Sequence, residues 1–161
     1  MLVVADSSPL IALINIGHID ILPQLFGTVI IPPAIATELR DVKRPPAIQL
    51  FIGRPPAWLI ERTPKTTATI PLLDPGEVAA ISLALEINAD LLLIDENLGR
   101  KAATARGIHI AGTIGILEQA ADQNLLDLKE AFGRIKETDF WISHELLDVR
   151  LKLHLERKKQ G

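Results

Sequence analysis

Four carboxylates stand where apolar segments of this chain give way to loops or helix starts, and carboxylates so placed can do metal chemistry. Asp6 closes the run Leu2-Val3-Val4-Ala5, and Asp95 closes Leu91-Leu92-Leu93-Ile94. Glu38 lies in the helix-like stretch Ala34–Arg40, and Glu77 opens the helix-like stretch Glu77–Ile87. Acids gathered at one place repel one another unless they are protonated or bridged by a cation. A divalent metal is the natural bridge, and metal-dependent phosphodiester hydrolysis is the chemistry it suggests.

Each acid also has a structural reading. Asp6 can cap the helix that follows it, although Ser7 and Ser8 already supply that function. Glu38 sits at the border of the stripe made by Ile35 and Leu39, which suits a partly buried, paired carboxylate as well as an exposed one. Asp74-Pro75-Gly76-Glu77 matches a capping box, so Glu77 reads as a cap or as a ligand. Asp95-Glu96-Asn97 offers three oxygen-bearing side chains in a row. They suit either a turn or a hard cation. Asp95 directly follows its strand and is the better ligand, with Glu96 or Asn97 as a further contact.

The elements that must position these acids alternate between strand-like and helix-like segments, the pattern of an α/β fold with a parallel sheet. Strands are expected at Leu2–Ala5, Val29–Ile31, Trp58–Ile60, Leu91–Ile94 and Ile108–Ile110, the apolar ones reading as buried parallel strands. In such a sheet a ligand site lies beyond the carboxyl ends of the strands, where Asp6 and Asp95 stand. Helices are expected near Ser8–Ile14 and Ile19–Phe26, from Pro33 through Arg40, and from Pro75 to Ile87. Four more follow, at Gly99–Arg106, Ile114–Gln123, Leu128–Lys136 and Ile142–Glu156. Proline at the first turn costs nothing, because its missing N–H has no helical partner there. Residues 41–73, broken by Pro45-Pro46, Pro55-Pro56, Pro64 and Pro71, read as the least regular part. Gly112-Thr113-Ile114-Gly115 reads as a turn.

Composition narrows the classes further. A chain of 161 residues, 48% of them hydrophobic, is long and apolar enough to bury one core, and a single domain over 1–161 is expected. No cysteine is present, which excludes disulfides, thiolate metal sites and a cysteine nucleophile. Neither a Gly-rich phosphate loop ending in Gly-Lys-Ser/Thr nor a dinucleotide fingerprint occurs. The net charge of −3 supplies no global field for nucleic acid, leaving local cations such as Arg100 and Lys101 to meet a phosphate. No apolar run approaches the roughly 20 residues that span a bilayer. The start meets an acid too early for a signal peptide. A cytoplasmic protein away from the membrane is the expectation.

Four segments taken in order, Val-Val-Ala-Asp-Ser-Ser-Pro-Leu-Ile, Pro-Pro-Ala-Ile-Ala-Thr-Glu-Leu, Asp-Pro-Gly-Glu-Val-Ala-Ala-Ile and Leu-Leu-Ile-Asp-Glu-Asn, resemble PIN-domain ribonucleases, and among them VapC-like toxins. The resemblance covers about residues 1–125, with residues 126–161 as a C-terminal helical extension. It implies a three-layer PIN-like fold, a central parallel sheet flanked by helices, and an endoribonuclease using Mg²⁺ or Mn²⁺. Asp6, Glu38, Glu77 and Asp95 match the family's acids and would be both its metal ligands and its catalytic residues. Ser7 and Ser8 would orient ligands or waters, and Asn97, Arg100 or Lys101 would meet the RNA. The resemblance also allows an antitoxin protein as partner. The alternative is a non-catalytic PIN-like binding or scaffold protein, with the acids serving capping and solvation.

The last helix points to a homodimer. Ile142, Leu146, Val149 and Leu153 form one stripe, and Leu147, Leu151 and Leu155 a second row beside it. Together they are broader than a terminal helix needs to dock on its own domain, so one row is expected to be left for a partner.

Overall fold

Short, apolar strands build the sheet, and this is what carries the acids to one edge. The computed structural model describes residues 1–160. Strands β1 (Val3–Ala5), β2 (Val29–Ile31), β3 (Leu59–Glu61), β4 (Leu91–Leu93) and β5 (Ile110–Ala111) pair throughout in parallel, in the order β3-β2-β1-β4-β5. Between them run α1 (Ser7–Asn15), α2 (Ile21–Phe26), α3 (Pro33–Leu39), α4 (Pro46–Gly53), α5 (Pro75–Glu86) and α6 (Asn97–Ala105). This is an α/β, PIN-like fold, with a five-stranded parallel sheet flanked by helices. Val4, Ile30 and Leu92 on one face of the sheet pack in a common core with Ala80, Ile81, Leu83 and Ala84 of α5 and Ala103 of α6. The alternate residues Val3, Ala5, Ile31 and Leu93 are buried too, so both faces are covered, as parallel sheets require.

The chain proceeds from β1 outward through β2 to β3, then returns past β1 to β4 and β5. The reversal lies between β1 and β4, whose carboxyl ends therefore border the crevice of a topological switch point. The amide of Asp6 donates to Leu93 O at 2.9 Å, closing the β1–β4 ladder at that border.

The region 41–73 is more regular than its prolines suggest, because it contains α4. Pro46 occupies the first turn of that helix, where it displaces no helical hydrogen bond. The last strand is displaced from the expected Ile108–Ile110 to Ile110–Ala111, after Gly107, whose φ of +80° ends α6. The remaining helices are α7 (Thr113–Asp122), α8 (Leu128–Lys136) and α9 (His144–Gln160).

Contacts divide the chain into two units, Met1–Thr113 with the whole sheet, and Ile114 onward with the remaining helices. Within the second unit, α9 is joined to residues of α7 and the turn after it by polar partners at helical spacing. Arg150 pairs twice with the buried Glu118, once through Nε to Oε2 at 2.9 Å. His154 Nδ1 lies 3.3 Å from Asp122 Oδ1, and Lys158 Nζ donates to Asn124 Oδ1 at 3.3 Å. Leu147 is buried, whereas Leu146, Val149, Leu153 and Leu155 are each about half exposed and Trp141, just before the helix, is 98% exposed. Among the described residues, no helix is long and apolar enough to cross a membrane.

Candidate active site

Asp6 occupies the N-cap position of α1, but its side chain makes no capping hydrogen bond. It is only 3% exposed. Burial pushes its carboxyl up from 3.8 to about 7, and the nearby carboxylates of Glu38, Glu77 and Asp74 add to the rise; a bond from the Ser7 backbone opposes it. An acid held like this is costly to ionise without a cation. Helix capping does not explain it.

The two serines after Asp6 organise the rest. Ser7 Oγ donates to Glu38 Oε2 at 2.5 Å, and Ser8 Oγ donates to Asp95 Oδ2 at 3.0 Å. Successive residues at the start of a helix point about 100° apart. Here they diverge toward α3, which follows β2, and toward Asp95, which follows β4. Those strands flank β1 on opposite sides, so the switch-point topology and the Asp-Ser-Ser sequence fit one another. Glu38 is half-buried, and its Oε1 lies against α5, where a Cβ on Gly76 would fall 1.9 Å away.

Glu77 caps its helix with one oxygen only. Asp74 Oδ1 accepts from the Glu77 amide at 2.7 Å, and Glu77 Oε1 accepts from the Asp74 amide at 3.2 Å, completing a capping box. Glu77 Oε2 is buried and has no hydrogen-bond partner. Burial raises this carboxyl from 4.5 to about 7, with the charges of Asp74 and Glu96 contributing. A Cβ on Gly99 would lie 2.8 Å from Oε2, so a side chain at that position would press on the buried oxygen.

Asp95 is half-buried and held by three donors, the Thr113 amide on Oδ1 at 2.7 Å and the Thr113 and Ser8 hydroxyls on Oδ2. Arg100 Nη1 donates to Ile94 O at 2.9 Å. A Cβ on Gly112 would lie within 3 Å of both that nitrogen and Asp95 Oδ1, which puts the guanidinium beside this acid.

Other expected contacts are placed differently. Asn97, the first residue of α6, is exposed, and so is Lys101. Of Glu96 and Asn97, it is Glu96 whose charge reaches Glu77. Gly112-Thr113-Ile114-Gly115 is not the expected turn, since α7 begins at Thr113, which bonds Asp95, and Gly76 and Gly99 were given no site role by the sequence. The strand-end rule that selected Asp6 and Asp95 also covers Gly112-Thr113, directly after β5.

The donor set suits a hard divalent cation, being all oxygen, with one buried carboxylate oxygen left over and glycines beside three of the acids. Among the described residues, no three or more Asp, Glu or His side chains stand close enough together to hold a metal ion between them. Magnesium commonly takes one or two carboxylates and keeps several waters.

A family model described as a PIN domain matches residues 2–156. The match thus extends past residue 125, where the legible sequence motifs end. No curated protein and no solved structure matches the chain.

Proposed function

The chain belongs to the PIN-domain family, whose fold is of nuclease type, and from that premise we propose that it is an endoribonuclease dependent on Mg²⁺ or Mn²⁺. The observation that carries this reading is the buried, unpartnered Glu77 Oε2 at a crevice shared with the raised carboxyl of Asp6. Asp6, Glu38, Glu77 and Asp95 would hold the ion. A bound divalent ion stabilises charge building on a phosphate and lowers the pKa of an attacking water. Ser7 and Ser8 hold Glu38 and Asp95 in place, so their role is to orient acids rather than to touch RNA. Arg100, beside Asp95, is the cation best placed to meet a substrate phosphate.

Incubation of pooled structured and unstructured RNA with Mg²⁺, Mn²⁺ or chelator tests the reading. Cleavage that needs metal and disappears in Asp6→Asn supports it, and no cleavage under any metal counts against it. One observation favours the non-catalytic alternative, a PIN-like binding or scaffold protein: both Asp95 oxygens are already engaged by Thr113 and Ser8. Under that alternative, Mn²⁺ titration shows no binding. The toxin role, with an antitoxin as partner, is tested by the neighbouring reading frame. A small basic protein encoded just upstream supports it.

A homodimer through α9 completes the proposal. Its support is the half-exposed row Leu146, Val149 and Leu153, beside the fully exposed Trp141. The first turn of α9 carries Glu145 and its last turn Arg157, Lys158 and Lys159. Two copies laid antiparallel bring each acidic end against the other's basic end and oppose the helix dipoles, an isologous contact. Light scattering tests it, and a monomer at tens of micromolar removes it.

A further inference from the structure

We infer that Thr113 is a positioning residue for Asp95, and that through its hydroxyl it sets the affinity of the acidic crevice for a divalent cation. The inference rests on the metal-dependent reading above.

Thr113 is completely buried, follows β5 and opens α7. Its amide donates to Asp95 Oδ1 at 2.7 Å and its hydroxyl to Asp95 Oδ2 at 2.8 Å. Two donors on one residue, one to each carboxylate oxygen, fix both the rotation of the carboxylate plane and its distance from β5. Ser8 adds a third bond, to Oδ2. Each carboxylate oxygen has about two acceptor positions. Oδ2 is therefore filled by the two hydroxyls, while Oδ1 keeps one position after the Thr113 amide. Gly112 adjoins that same Oδ1, where a Cβ would lie 2.9 Å away. The arrangement spends the donors of Thr113 on orientation and leaves one acceptor of Asp95 for a ligand.

The amide bond alone would fit a simpler role, with Asp95 capping the start of α7. The hydroxyl separates the two roles, because helix capping through the amide survives its loss. Partners of ligating carboxylates typically contribute 10–100-fold to metal affinity or activity, so roughly that range is expected here.

The experiment is Mn²⁺ binding by calorimetry, with thermal unfolding as the fold control, on the intact chain and on Thr113→Val, Thr113→Ser, Asp95→Asn and Thr113→Val/Asp95→Asn. Thr113→Val is expected to weaken Mn²⁺ binding by about tenfold or more. Thr113→Ser should stay within about twofold, since it retains the donor. In the Asp95→Asn background, Thr113→Val should add little, because both changes act through one carboxylate. In RNA cleavage, kcat should fall in Thr113→Val with KM unchanged. Wild-type affinity in a folded Thr113→Val overturns the inference while leaving the metal-dependent reading intact, and so does equal damage from Ser and Val. Absence of Mn²⁺ binding by the unaltered protein overturns both. Should Thr113→Val not fold, Thr113→Ala, which also lacks the hydroxyl, replaces it beside Thr113→Ser. Weakened binding in Thr113→Ala with near-unchanged binding in Thr113→Ser supports the inference, and any other pairing overturns it.

Discussion

The crevice beside β1 and the surface of α9 break the usual inside–outside rule in opposite directions. At the crevice, ionisable groups are buried and one carboxylate oxygen is left without a partner. On α9, polar pairs from Arg150, His154 and Lys158 lie toward its own unit, while Leu146, Val149 and Leu153 face outward. Buried polar groups and exposed apolar rows are the informative exceptions in a folded chain, since scattered exposed leucines mean little. On the proposed reading, a cation would relieve the first exception and an apolar partner surface the second. A core built for stability alone would contain neither.

The largest expected effect comes from removing a crevice charge. Asp6→Asn should lower RNA cleavage by at least about 100-fold, since a supporting residue alone contributes roughly 10–100-fold. The same change should raise the unfolding midpoint of the metal-free protein, because it deletes a buried acid crowded by other carboxylates. Loss of activity together with loss of stability would show that Asp6 is a structural residue.

Glycine replacements sharpen the crevice side. Gly76→Ala would push against the end of the half-buried Glu38 side chain, which can swing, so folding should survive while Mn²⁺ affinity falls by about tenfold. Gly99→Ala meets the buried Ile94 Cδ1 as well as Glu77 Oε2, so a lower melting midpoint should accompany its loss of affinity. A melting curve beside a metal titration separates the two outcomes.

On α9, Val149→Lys/Leu153→Lys should weaken self-association by about tenfold or more, equivalent to roughly 1.4 kcal/mol. Sedimentation over a concentration series reads it, and cleavage per chain should not change. Arg150→Ala has a different target. It strands the buried Glu118 and should destabilise the chain by about 1–2 kcal/mol, discounted because Arg150 is itself half exposed. An apolar pair, Glu118→Leu/Arg150→Leu, should recover much of that loss in a denaturant series.

A further effect, read on the metal-free protein, is the slope of stability with pH. Asp6 and Glu77 titrate near 7 in the folded chain against ordinary values of 3.8 and 4.5. Between about pH 4 and 7 the folded state therefore binds more protons than the unfolded one. Their contribution is full below about pH 4 and is lost as pH rises through about 7. Metal-free protein should show this decline in its melting midpoint, and Asp6→Asn should flatten it.

Much of this was legible in the chain itself. Val3–Ala5, Val29–Ile31 and Leu91–Leu93 are buried on both faces, which demands the continuous apolar runs that reveal them. Asp6 and Asp95 stood out because they close such runs, Glu77 because it opens a helix, and Glu38 because it borders an apolar stripe. The helix α4 was hidden by Pro45-Pro46, although Pro46 sits where Pro33 does, at a first turn. Thr113 was hidden because β5 is two residues long and only half-buried, too weak a strand signal to mark its own end. For Glu77 the sequence posed cap against ligand; Oε1 caps the helix, and Oε2 is buried without a hydrogen-bond partner. The row on α9 was legible as excess breadth, but its polar docking was not, since Glu118, Asp122 and Asn124 lie more than two dozen residues away.

The central claim is that the acids around β1 are an ion site and not a set of caps. Mn²⁺ titration followed by calorimetry, on the unaltered protein and on Asp6→Asn, tests it most directly. Saturable binding and a rise in the unfolding midpoint on adding Mn²⁺ are expected for the unaltered protein, both lost in Asp6→Asn. No heat of binding and an unchanged midpoint at saturating Mn²⁺ would contradict it.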